Sequence, residues 1–137
     1  MQLGRKVLGK SHSAHPGHKR FVVGTVPRGS PFNATFGLLC EQTLVNLCAN
    51  VAILSASAIL GTTAYVQDPA VTQIKRAQMA AAERRILLIH SAKFGSSALH
   101  RLADLSEFDL VLIDAGLAAG HRQVLDDAGI RYRLIKP

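Results

Sequence analysis

Three short stretches of this chain carry residue types that can do chemistry, and each closes an apolar run. Ser55 and Ser57 end V-A-I-L-S-A-S, His90, Ser91 and Lys93 fall in I-H-S-A-K-F-G, and Asp114 and Gly116 fall in I-D-A-G-L. If the three runs are parallel strands, these residues stand at strand carboxyl ends, where open α/β sheets bind their ligands. A small anion suits the set. Lys93 would supply charge, the serine hydroxyls would donate hydrogen bonds, and Gly95 and Gly116 would let backbone amides come close to a phosphate. The same residue types also suit ordinary loops that satisfy strand ends, and their spacing leaves both readings open.

Two other chemistries are set aside. Ser55, His90 and Asp114 superficially offer a nucleophile, a base and an orienting acid, but Ser55 lies between Leu54 and Ala56 and lacks the G-x-S-x-G elbow that exposes a nucleophile. No catalytic residue is assigned. His12, His15 and His18 recur every three residues, and imidazole suits zinc or nickel. Pro16 and Gly17 break the helix that would align the rings, so no metal site is expected.

The elements that must position the strand-end residues follow from periodicity. Phe21 to Val26 predicts a strand, stopped by Pro27, Gly29 and Pro31. Cys40, Leu44, Leu47 and Cys48 recur at helical spacing and predict a helix between Gly37 and Ala49. On one helix the two cysteines would lie about 12 Å apart, too far for a disulfide. Val51 to Ser57 is a continuous apolar run, the pattern of a strand buried on both faces, and is expected at the centre of the sheet. Asp68 as N-cap and Pro69 at the first helical position open a helix expected to reach Arg85. Arg85 to His90, Asp109 to Ile113 and Arg131 to Ile135 predict three further strands, and Gly120 to Ala128 a helix closed by Gly129. This alternation predicts an α/β fold with a mainly parallel sheet and flanking helices.

Composition bounds the function. With 137 residues, 48% apolar and 18% charged, the chain is one ordinary globular domain. The net charge of +7 is concentrated at the start: Arg5, Lys6, Lys10, Lys19, Arg20 and Arg28 all precede Glu41, the first acidic residue. The remainder is close to neutral and offers no broad phosphate-binding face for nucleic acid. The uncharged stretch from Gln42 to Gln67 is interrupted by Asn46, Asn50, Gly61 and several hydroxyl residues, which argues against a membrane span. No apolar run follows Arg5 and Lys6 as a signal peptide requires, so a cytoplasmic setting is expected.

K-R-A-Q-M-A-A-A-E-R-R-I-L-L-I-H-S-A-K-F-G, followed by A-L-H-R-L-A-D-L-S-E-F-D-L-V-L-I-D-A-G-L, resembles the sensor domain of DeoR-type transcriptional regulators. The resemblance runs from about Val22 to Lys136. It implies a fold related to ribose-phosphate isomerases and coenzyme A transferases, here incomplete at its N-terminal side. Residues 1–20 are expected to be a basic, flexible head and 21–137 a partial effector-sensing domain. The resemblance also implies a phosphorylated sugar as effector, a homo-oligomer, no cofactor and no membrane partner. DNA would be reached only through a winged helix-turn-helix that has no counterpart in this sequence. Ligand-binding candidates are Lys93, Ser91, Lys75, His90, Ser55, Ser57 and Asp114. Lys75 carries over as an interior-facing helix lysine and Lys93 as an effector-loop lysine. This chain departs from the family at His90, where aspartate is usual, at Val71, where glutamate is common, and at Ser55, where glycine is frequent. The competing expectation is a structural or assembly protein without ligand response, with an isomerase-like enzyme as a further alternative.

Overall fold

The computed structural model describes residues 38–136; the expected strand at Phe21 to Val26, the basic head and the histidine run lie outside them. Within this span the chain forms α1 (Leu38–Val45), β1 (Ala49–Leu54), β2 (Ala58–Leu60), β3 (Thr63–Val66), α2 (Pro69–Ala81), β4 (Ala82–Ile89), β5 (His100–Asp104), β6 (Leu110–Asp114), α3 (Ala119–Asp127) and β7 (Tyr132–Ile135). Two sheets result. One is the expected parallel sheet, in the order β1-β4-β6-β7, and the other is a three-stranded antiparallel sheet in the order β2-β3-β5.

The parallel sheet is built on alternate residues. Leu54, Leu87, Ile89, Val111 and Ile113 face inward and join Ile59, Ala64, Leu102, Leu105 and Phe108 from the antiparallel sheet and its flanking turn, Met79 from α2 and Leu125 from α3. Leu87, Val111 and Ile113 are fully buried, each worth about 1.5–3 kcal/mol relative to an exposed side chain. The opposite face is open among the described residues: Ile53 is 69% exposed and Leu88 51%.

Four expectations need correction. The strand of V-A-I-L-S-A-S ends at Leu54 and lies at the edge of the sheet rather than its centre, with Val51 and Ile53 exposed. An unbroken apolar run cannot separate a strand buried on both faces from one whose second face is open. Beyond it Ser57 changes sheets, its amide donating to the Tyr65 carbonyl at 2.8 Å. The first helix stops at Val45, where the Asn46 side chain donates to the Gln42 carbonyl at 2.9 Å. α2 ends at Ala81, four residues before Arg85. The alanine-rich run has no Gly or Pro to stop it, and the pairing of Ala82 with Ala49 decides the boundary. The antiparallel sheet has no counterpart among the predicted elements. It turns at Gly61, whose φ of +59° favours glycine, and it carries a register shift between Ala64 and Tyr65.

No disulfide joins Cys40 and Cys48 among the described residues. No helix among them is long and apolar enough to cross a membrane.

Candidate functional site

The carboxyl ends of β4 and β6 are neighbours because Ile89 pairs with Ile113. The chain leaves β4 through His90 into a 3-10 turn at Ser91–Lys93, and leaves β6 at Asp114. The two ends are tied together. The Ser91 hydroxyl donates to Asp114 Oδ2 at 2.7 Å and the Ser91 amide to Oδ1 at 2.5 Å, while the Gly116 amide reaches Oδ2 at 3.1 Å. The Ser91 hydroxyl and amide, with the Gly116 amide as a smaller contribution, hold the Asp114 carboxyl at about 2, against the ordinary 3.8. Asp114 is therefore an anion at neutral pH.

His90 caps the turn. Its Nδ1 accepts the Ala92 amide at 3.1 Å, so that nitrogen carries no proton in this arrangement, and the imidazole proton resides on Nε2. The same Nδ1 lies 3.6 Å from Asp114 Oδ1, which is proximity rather than a hydrogen bond. The turn rests on the second sheet through the Gly95 amide, which donates to the Ile59 carbonyl at 2.9 Å. It rests on α3 through Phe94, whose ring centroid lies 5.7 Å from that of His121.

This anchoring overturns one expectation. The amides of Gly95 and Gly116 were to face a phosphate, yet both are spent within the protein, as are those of Ser91, Ala92, Lys93 and Phe94. Recognition at this loop falls to side chains. Lys93 is exposed, and no hydrogen bond or ion pair holds its ammonium among the described residues. Gly116 has a packing role instead: a β-carbon there would lie 2.9 Å from Asp114 Oδ2 and 3.0 Å from Ser91 Oγ.

Lys75 and Ser55 form a separate pair. From α2, the half-buried Lys75 donates to the Ser55 carbonyl at 2.5 Å and to its hydroxyl at 3.2 Å, past the end of β1. Burial lowers the Lys75 pKa from its usual value. Ser57 sits apart from both groups, held by its amide to β3. Of the seven candidates, then, His90, Ser91 and Asp114 meet directly, Lys93 extends from the same turn, and Lys75 and Ser55 pair with each other. Among the described residues no hydrogen bond links Ser55 to His90 or Asp114, so these three do not form a triad.

Two supporting residues had no sequence signal pointing to the site. Arg122 donates to the carbonyls of Leu117 and Ala115 at 2.8 and 3.2 Å, bracing the D-A-G-L turn from below, and His121 packs on Phe94. Beside His90 and Asp114 a depression of about 330 Å³ opens, floored by Leu88, Leu112 and Ile135.

Comparison with known families decides what this arrangement belongs to. Residues 13–115 match the model of the DeoR C-terminal sensor domain, a span that holds His90, Ser91, Lys93, Asp114, Lys75, Ser55 and Ser57 together. The chain belongs to the DeoR C-terminal sensor domain family. The match begins before Val22 and stops one residue past Asp114. An L-fucose operon activator of Haemophilus influenzae is 34% identical over 100 residues, covering 72% of this chain and 40% of the relative. A protein of Escherichia coli O157:H7 described as a candidate aga operon transcriptional repressor is 30% identical over 103 residues, 73% of this chain and 38% of its own length. The deoxyribose operon repressor of Escherichia coli K12 is 31% identical over 77 residues, 54% of this chain and 30% of the repressor. The aligned part thus spans two fifths or less of these relatives. The matched region is a sensor domain of transcriptional regulators by family, and Ser55, His90 and Asp114 are not assembled as a triad among the described residues.

Proposed function

We propose that this sensor domain binds a phosphorylated sugar at the carboxyl ends of its parallel strands and thereby regulates transcription of sugar-metabolism genes. The observation that carries the reading is the turn at Ser91–Lys93: every amide from Ser91 to Gly95 is satisfied internally, and the turn presents an exposed Lys93 whose ammonium has no partner among the described residues. A pre-ordered loop with one displayed cation suits a phosphate, because little conformational freedom is lost on binding. His90 Nε2 adds a donor on the same turn. Asp114 would repel phosphate, so it belongs on the sugar side, accepting hydroxyl protons with the lone pairs that Ser91 and Gly116 leave open. Lys75 orients Ser55 and with it the end of β1.

Regulation requires two states with different affinity for the effector. In this reading the domain works within a homo-oligomer in the cytoplasm, and DNA is contacted by a winged helix-turn-helix coupled to it. The relatives named as operon regulators support this class of function. The test is thermal unfolding with and without a panel of phosphorylated sugars, repeated for Lys93→Ala. A ligand bound by the native state raises the midpoint, and a shift of several degrees that disappears in the variant is expected. A midpoint indifferent to every sugar phosphate would overturn the reading. It would favour assembly without ligand response, which the open apolar face with Ile53 and Leu88 independently suggests.

A further inference from the structure

Phosphate capture by Lys93 demands that its turn stay in one conformation, and the contacts of that turn are unequal. Ser91 is bonded to Asp114 at the turn's start. At its end, Phe94 donates its amide to the Ser91 carbonyl, forms a bridge with Ile59 and packs against the core, Gly95 donates to Ile59, and the one α3 side chain set against both is His121. The imidazole lies tilted at 46° to the Phe94 ring, with centroids 5.7 Å apart. It also lies under Gly95, where a β-carbon would be 3.4 Å from both Cε1 and Nε2. Gly95 has a φ of +81°, which glycine adopts without strain and a side chain would not. His121 is half-buried, and none of the hydrogen bonds or ion pairs of the described residues occupies its ring. Its contacts with the turn are therefore those of an aromatic plate.

We propose that His121 is a positioning residue for Lys93: its ring clamps Phe94 and Gly95 and so fixes the turn that presents the ammonium. The inference rests on the sugar-phosphate reading for its functional consequence but not for its physical content. His121 lies beyond residues 13–115, so the family match assigns it no role.

The test uses the full chain and needs no ligand for its first part. The amides of Phe94 and Gly95 are hydrogen-bonded, to Ser91 and Ile59, and their exchange with solvent reports opening of the turn. His121→Ala is expected to speed exchange at both by about tenfold or more, while amides in β4 and β6 exchange as before. His121→Phe, which keeps a ring of similar shape, is expected to restore the slow rates. Binding of ribose 5-phosphate, fructose 1-phosphate and glucose 6-phosphate is then titrated. The sugar phosphate that binds best should bind about threefold or more weakly to His121→Ala and normally to His121→Phe. Unchanged exchange in His121→Ala, or equally fast exchange in both variants, would overturn the proposal. Lys93→Ala separates it from the reading on which it rests: if that variant binds like the parent chain, the assignment of Lys93 as phosphate ligand fails, while the exchange rates still decide the role of His121.

Discussion

Asp114 draws three hydrogen bonds from Ser91 and Gly116, and their combined preference for the carboxylate places its pKa near 2. Because the folded value is depressed, the stabilisation is complete above the unfolded pKa of about 3.8 and is lost as pH falls through about 2. Ser91→Ala removes the hydroxyl, the largest cause, so the Asp114 pKa should climb toward its ordinary value in an NMR titration of the carboxyl carbon; an unmoved midpoint would mean that the amides suffice. Gly116→Ala tests the packing of the same pair. A methyl at 2.9 Å from a carboxylate oxygen must displace Asp114 or the turn, and a loss of about 1–3 kcal/mol is expected in thermal or denaturant unfolding. A wild-type midpoint would show that the turn yields freely. His90, Ser91 and Asp114 were legible as a strand-end group because an apolar run followed by polar residues marks where a parallel strand stops. The Lys75 to Ser55 contact was not legible from spacing, and neither were His121 and Arg122, because helical periodicity says nothing about which loop a side chain will meet.

Helix α2 shows what local chemistry can and cannot announce about an element. Its start is explicit: Asp68 Oδ1 accepts the amides of Ala70 and Val71 at 2.7 and 3.2 Å, and Pro69 needs no hydrogen-bond partner there. Asp68→Ala should cost about 1 kcal/mol, read as a lower denaturation midpoint, whereas Asp68→Asn, which keeps the acceptor, should cost less. Equal losses in both would point to charge rather than capping. Its end carries no signal, and partners distant in sequence decide it. The Arg85 amide donates to Asp109 at 2.7 Å and the Asp109 amide to the Arg85 carbonyl at 2.9 Å, holding the start of β4 in extended form over the residues up to Arg85 that were expected to continue the helix. Strands β4, β6 and β7 and helix α3 were visible as unbroken or alternating apolar patterns. β2, β3 and β5 were not, because β2 has only three residues, β3 shifts register, and β5 buries adjacent Leu102 and Ala103 between charged neighbours. That is neither clean alternation nor a continuous run.

For the molecule as a whole, the contrast between the two faces of the parallel sheet is the dominant feature. Parallel sheets are normally covered on both sides, yet Val51, Ile53, Leu88 and Ile135 are exposed. Apolar surface of this kind promotes association. Ile53→Lys should reduce concentration-dependent self-association in sedimentation velocity and change the melting temperature little, because the side chain is already largely in water. Loss of cooperative folding in that variant would instead mean that Ile53 is covered in solution. The path of the chain between the two sheets has a further consequence. It lays down β1 in the first sheet, β2 and β3 in the second, returns for β4, crosses again for β5 and ends with β6 and β7 in the first. Each sheet therefore pairs strands that are separated in sequence by strands of the other. Such non-local pairings must lose loop-closure entropy before their contacts form, so folding is expected to be slower than for a chain built from local contacts, which stopped-flow refolding would measure.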